Sequence, residues 1–426
     1  VSNTTDITHR RGERRMRAYK ATDRVIDKVM IRRFMIRILA PVVVIVMLLQ
    51  GCSSQKLSGA GDSPQSVEPG RTMEQQEDPI ASDQTEDAEQ DNEEKAENSG
   101  TDDNPSDSAD EGKEADETPQ PIDLNEVKPN EAGRIMVVMF HNFIEKYEKG
   151  DKAYTTTFSE FKELLHTLYD YDYRLISMED YLNGNINVAA GCIPMVFTFD
   201  DGTSGQFNLI EENGKLEANP DSAVGILEEF NKTHPDFGTR GTFFVNLGNQ
   251  TFGSTGTLAQ RLEYLIDKGF EIGNHTYSHI NLKTEAKSAE IIQKEIGQNQ
   301  KKMYELVPGY TFVAFSLPYG APSKELTKYV IKGEYEGTAY DNPAIMEVGW
   351  DPAPSPFGVK FNPLSTHRVR SSGIEPVDQD LGWWLVNMKR DNQYVSDGDP
   401  DTVTIPESYL EHVNQEMLGG RTLRTY

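Results

Sequence analysis

The stretch PMVFTFDDGTSG, residues 194–205, is an apolar run that ends on two adjacent carboxylates and a glycine. Like charges in contact repel, and partial burial makes that worse, so something close by must compensate Asp200 and Asp201. Further along, His275 and His279 stand four apart in HTYSH. On one helical turn that spacing aims both imidazoles the same way. Two ring nitrogens and one carboxylate make a three-ligand site for a divalent metal, with positions left open. One aspartate would ligate the cation, and its charge would let the other stay ionised and act as a base.

These residues need a frame that brings positions 200 and 275 together. RIMVVMFHNF (134–143) reads as a buried strand ending in His141-Asn142, and IPMVFTF (193–199) as a second. GTFFVN (241–246), the start of FEIGNHTYSH (270–279) and TFVAFSLPYG (311–320) read as further strands. Between them, 157–171, 222–235, 257–269 and 285–306 carry apolar residues at helical spacing. Alternating strands and helices predict parallel strands with crossover helices, and some seven such units favour a closed barrel. In such a barrel the loops after the strand ends form the active face. His141, Asp200-Asp201, His275 to His279 and Ser316 to Gly320 all fall there. NLIEENGKLEANPD (208–221) reads as an inserted hairpin with an Asn-Gly turn. Cys192 reads as a packed, inert thiol.

Charge divides the 426-residue chain. Residues 1–52 carry a net +7 and residues 53–130 a net −18, leaving −16 for residues 131–426. RRFMIRILAPVVVIVMLLQGC places arginines ahead of a twelve-residue apolar stretch, which has the length of a signal-peptide core rather than of a membrane span. Its end, LQGC, resembles a bacterial lipobox, so residues 1–52 are expected to be a signal segment with Cys52 the lipidated residue. An uncleaved short anchor is the alternative. Either would place the remainder on the outer face of the cell membrane. Residues 53–130 lack the apolar content to fold and are expected to be a disordered acidic linker, leaving 131–426 as the folded domain. No basic stripe is present, which argues against nucleic acid as a partner, and nothing in the chain points to a protein partner.

TFDDG, GTFFV, HTYSH and LPYG, in this order and spacing, resemble the polysaccharide deacetylases, the NodB homology domain of carbohydrate esterase family 4; VVMFHNF is similar to that family's first strand. The likeness implies an α/β fold, a distorted (β/α)7 barrel, with a divalent metal, usually zinc, and an acetylated polysaccharide as substrate. It implies Asp201, His275 and His279 as metal ligands, Asp200 as catalytic base, and Tyr319 as the residue whose backbone N–H helps hold the oxyanion. The implied activity is hydrolysis of a non-peptide C–N bond in peptidoglycan or an exopolysaccharide. An O-acetyl polysaccharide esterase, or a carbohydrate-binding lipoprotein with degenerate catalysis, are the alternatives. The chain departs from the family in three places. Ser316 stands where an arginine normally orients the base. The late Asp-x-x-Asp-Trp element is not recognisable, although VGWDPAPSP contains Trp350 and Asp351. The final Leu-x-His, source of the general acid, has no counterpart, the closing strand reading TVTIPES instead. His141, His367, Arg368 and Arg370 are the candidates for the missing acid and orienting roles.

Overall fold

The computed structural model describes residues 122–150, 153–371, 373 and 378–426. The expected signal segment with Cys52, and the expected linker as far as residue 121, lie outside the described residues. Asp123 caps the short helix Leu124–Val127, and Asn130 pairs with Val395. Among the described residues no helix is long and apolar enough to cross a membrane.

The strands, in chain order, are β1 (Met136–Phe140), β2 (Asn142–Ile144), β3 (Thr155–Thr157), β4 (Tyr173–Leu175), β5 (Ile193–Asp200), β6 (Leu209–Glu212), β7 (Lys215–Ala218) and β8 (Thr242–Val245). They continue as β9 (Glu271–Asn274), β10 (Phe315–Ser316), β11 (Lys332–Tyr335), β12 (Thr338–Asp341), β13 (Ile345–Val348), β14 (Thr366–Arg370), β15 (Thr402–Ile405) and β16 (Thr422–Thr425). Seven of them close a parallel ring in the order β1, β14, β13, β10, β9, β8, β5 and back to β1, with β4 attached to β5. The expected seven-stranded barrel is therefore present.

β1 and β5 are buried along their whole length, as parallel strands covered on both faces must be. Successive side chains alternate between two clusters. Met136, Val138, Phe140, Phe197, Phe199 and Phe243 pack with the flanking helices. Val137, Val196, Phe244 and Met346 belong to a second cluster. Asp200 shares the parity of Val196 and points with it into the ring. The helices are set by their caps and apolar stripes. Phe158–Asp170 opens on a Thr157–Glu160 capping box and buries Phe161, Leu165 and Leu168. Leu258–Asp267 repeats the device with Thr257 and Gln260.

Two expectations need correction. TVTIPES does not close the barrel: Thr402–Ile405 pairs with Thr422–Thr425 in a separate two-stranded sheet, and β13 and β14 close the ring instead. Residues 285–306 are helical only from Ala289, where Ser288 accepts from the Ile291 N–H and so sets the start. The inserted hairpin is as expected, β6 and β7 being antiparallel around Asn213 and Gly214, both left-handed. Cys192 is buried.

Candidate active site

Asp200 ends β5 inside the ring, and the chain then turns sharply: Asp201 has φ 82° and Gly202 φ 63°. A side chain at Gly202 would place its Cβ 2.7 Å from Thr251 Cγ2, so the residue after the two carboxylates has to be glycine. HTYSH follows β9 but is not the helical turn expected from its spacing. It is an irregular loop with Thr276 at φ 66° and His279 at φ 59°. The two imidazoles still converge, their ring centres 4.9 Å apart, because strained backbone aims them. Non-glycine residues in this region cost of order 1–3 kcal/mol each and persist only where surroundings enforce them.

Those surroundings are polar and buried. Asn246, at the end of β8, donates to His275 O and, at 3.0 Å, to Thr276 O. Asn274 Oδ1 accepts from the Thr276 N–H at 2.9 Å and from Asn299 Nδ2 at 2.9 Å. Glu295 Oε2 accepts from both the N–H and the hydroxyl of Ser278, at 3.0 and 2.9 Å. On the other side, Gln206 Nε2 donates to the carbonyls of Asp200 and His141, binding the two strand ends together.

The result is a three-donor cluster. His275 Nε2 and His279 Nε2 lie 3.5 and 3.2 Å from Asp201 Oδ1, and one ligand atom from each residue falls within 4.8 Å of the others. His275 Nδ1 is 2.8 Å from Ser316 O, which fixes its proton there and leaves Nε2 free to bind a cation. Asp201 Oδ1 is buried with no hydrogen-bond partner, as a ligand oxygen would be. The donor set therefore fits a divalent metal. Burial opposes the Asp201 charge, but the two imidazoles hold its carboxyl well below the usual range. Burial likewise opposes a charge on His275, and Asp200 and Asp201 outweigh it and push its pKa up.

Asp200 is held differently. Arg368, fully buried, clamps it with two parallel bonds, Nη1 to Oδ1 at 2.6 Å and Nη2 to Oδ2 at 2.7 Å. Ser316 Oγ donates to Asp200 Oδ2 at 3.2 Å and accepts from Arg368 Nη2 at 2.8 Å. Thr198 Oγ1 accepts from Arg368 Nη1 at 3.1 Å, and the guanidinium lies 5.4 Å over the Phe244 ring. Burial works against the carboxylate, yet the guanidinium with His275 and His141 holds its pKa at about 2. The arginine absent at Ser316 thus arrives from β14, and the serine makes room for it.

His141 sits at the end of β1 with Nε2 4.0 Å from Asp200 Oδ2. Burial pushes its pKa down, against the pull of the two aspartates. Tyr154 packs on it at 4.8 Å and carries the Arg370 guanidinium on its ring at 4.7 Å. Arg370 is thus linked to His141 through the Tyr154 ring, while the clamp on Asp200 comes from Arg368. Tyr319, left-handed at φ 57° and largely exposed, sets its ring 4.9 Å from that of His279. Among the described residues nothing accepts from its backbone N–H. His367 is not brought to the site. Its side chain takes the opposite face of β14 from Arg368 and pairs with Asp351 at 2.6 Å and Glu347 at 3.8 Å.

The polysaccharide deacetylase family model matches residues 188–337. Similar solved structures include a polysaccharide deacetylase from Bacillus cereus, 19% identical with TM-score 0.43, covering 58% of this chain and 67% of that one. Another is the deacetylase PplD of Streptococcus pyogenes in complex with acetate, 16% identical with TM-score 0.44, covering 60% of this chain and 98% of that one. No curated protein gives a significant match. The matched segment, residues 188–337, contains the paired aspartates, both histidines and LPYG, so the part of the chain that carries the candidate site is similar to the polysaccharide deacetylase family.

Proposed function

We propose that this protein hydrolyses N-acetyl groups from aminosugars in a cell-surface polysaccharide, peptidoglycan or an exopolysaccharide, with zinc held by Asp201, His275 and His279. The observation that carries the reading is the buried Arg368 clamp on Asp200 beside that three-donor cluster. A chain that had abandoned catalysis would have no use for a buried, charge-compensated carboxylate next to a metal site. The lack of arginine at Ser316 argues for a non-catalytic sugar-binding protein only until Arg368 takes that place.

A divalent cation bound there supplies Lewis acidity, polarising the acyl carbonyl and making a neighbouring water easier to deprotonate. Asp200, ionised at any physiological pH, removes a proton from the attacking water. The water oxygen bonds to the acyl carbon while charge builds on the carbonyl oxygen. The Tyr319 N–H is the proposed donor to it, a contribution of about 3–4 kcal/mol where such donors have been removed elsewhere. When the C–N bond breaks, the leaving nitrogen needs a proton. In this proposal it takes up the proton that Asp200 removed, relayed by His141, whose Nε2 lies 4.0 Å from Asp200 Oδ2, giving acetate and a free amine. Arg368 keeps the carboxylate in one orientation throughout.

By the same proposal residues 1–52 are a signal segment, Cys52 carries the lipid, and the acidic linker lets the barrel reach polymer beyond the membrane. The test is acetate release from purified peptidoglycan and from poly-N-acetylglucosamine, with and without chelator. Release that stops on chelation, returns with zinc and falls about 10²–10⁴-fold in Asp200→Asn is expected. Absence of release from both polymers, with zinc bound, overturns the reading.

A further inference from the structure

The chain has three tryptophans, Trp350, Trp383 and Trp384, and contacts between them join all three in one patch. Trp350 follows β13 and is 61% exposed. Its carbonyl accepts from Trp384 Nε1 at 2.8 Å, and Trp383 meets Trp384 edge to face at 4.7 Å. Val386, on the same helix as Trp383 and Trp384, is 59% exposed. The patch also has an acidic border. His367 lies 5.7 Å from Trp350, ring to ring, and is flanked by Glu347 and Asp351, each about one-third exposed or slightly less, at 35% and 29%. Arg134 neutralises only Asp351.

Trp383 and Trp384 are half-buried, Trp384 against the core, and serve as a backing for Trp350, whose exposed ring is the one a ligand can reach. An aromatic face with carboxylates at its edge suits one chemistry above others, an organic ammonium, which the ring attracts through its quadrupole and the carboxylates through charge. We infer that Trp350, with Trp383, Trp384 and Glu347, forms a secondary site for the amine-bearing stretch of a polymer that the barrel has already deacetylated. The inference rests on the proposed aminosugar substrate, since it is that hydrolysis which turns a neutral sugar into a cationic one. The −16 charge of residues 131–426 favours the same occupant. Unreacted, acetylated sugar lacks the cation and gains little here. Product held on this flank would keep the enzyme on the chain between turnovers.

Because no tryptophan lies elsewhere, intrinsic fluorescence reads this patch alone. The full-length protein and Asp200→Asn are titrated with a glucosamine oligomer, an N-acetylglucosamine oligomer and an oligolysine of equal length, at mildly acidic pH. A fluorescence shift with the glucosamine oligomer, unchanged by Asp200→Asn and much weaker with the other two, is expected. By calorimetry Trp350→Ala should weaken that binding about tenfold. Glu347→Gln, which removes only a surface charge, should weaken it severalfold. Equal response to oligolysine means general attraction of polycations and overturns the inference, as does no response at all. Acetate release assayed alongside separates the two readings: hydrolysis without a fluorescence response removes this site only, and a response without hydrolysis removes the proposed reaction only.

Discussion

At the scale of residues, Asp200, the proposed base, is governed by a charge that arrives from a distant part of the chain. Arg368→Met leaves Asp200 buried without its cation, and breaking a buried pair in this way costs about 3–5 kcal/mol. A lowered Tm is therefore expected. The pH consequence has a definite sign. A carboxyl held down at about 2 is ionised across the working range, and its stabilising effect is lost only as pH falls through that value. Without the guanidinium, burial dominates and the pKa rises, so the acid limb of kcat/KM should move to higher pH. Arg368→Lys should restore part of the charge and little of the orientation, because a lysine cannot make the two-pronged contact. An unmoved acid limb in Arg368→Met would contradict this account. The paired aspartates, the two histidines and LPYG were legible because contiguous types at strand ends carry them. Arg368 was one name among four, since its role is fixed by which face of β14 it takes, and no motif marks that.

At the scale of elements, the metal donors depend on a loop that is not regular structure. HTYSH was read as a helical turn from its spacing, and what replaces helical geometry is a buried scaffold of Asn246, Asn274, Glu295 and Asn299. Glu295 and Asn299 occupy the buried face of Ala289–Leu306 between Ile292, Ile296 and Met303. A polar pair four apart on an apolar stripe was the signal that could have found them. Asn299→Ala deprives Asn274 Oδ1 of one donor and the Leu247 N–H of its acceptor. Partners behind metal ligands typically contribute 10–100-fold in affinity. A loss of that size in zinc affinity, measured by competition with a chromophoric chelator, is expected for Asn299→Ala and for Glu295→Ala. Strands with long apolar runs were legible. β10 lies within the strand read at 311–320, but the pair β13 and β14 was not legible, because both are short and the links that lead into them, a five-residue helix with the β11–β12 hairpin and then a 3-10 turn, are not crossover helices of the kind the periodicity reveals.

At the scale of the whole molecule, the start and end of the folded domain are joined under the barrel. Glu131 is buried and accepts from the Thr404 N–H at 2.7 Å and from Tyr394 and Asp397 at 3.3 Å. Burial, with the Asp397 charge nearby, pushes its carboxyl up to about 8. A raised pKa means the folded state holds the proton more tightly than the unfolded one. The stability this brings is full below about 4.5 and is lost as pH rises through 8. Glu131→Gln removes the titration, so its Tm relative to the parent should improve steadily between about pH 5 and pH 9. A pH-independent difference would count against it.

The clamp from β14 also has a temporal side. Synthesis delivers the three donors by residue 279, almost ninety positions before the guanidinium at 368. Chain lengths that end before 368 lack the guanidinium that clamps Asp200, and β14 is the last strand of the ring in chain order. In a nested series of arrested translation products, acetate release should begin only with lengths that extend past β14.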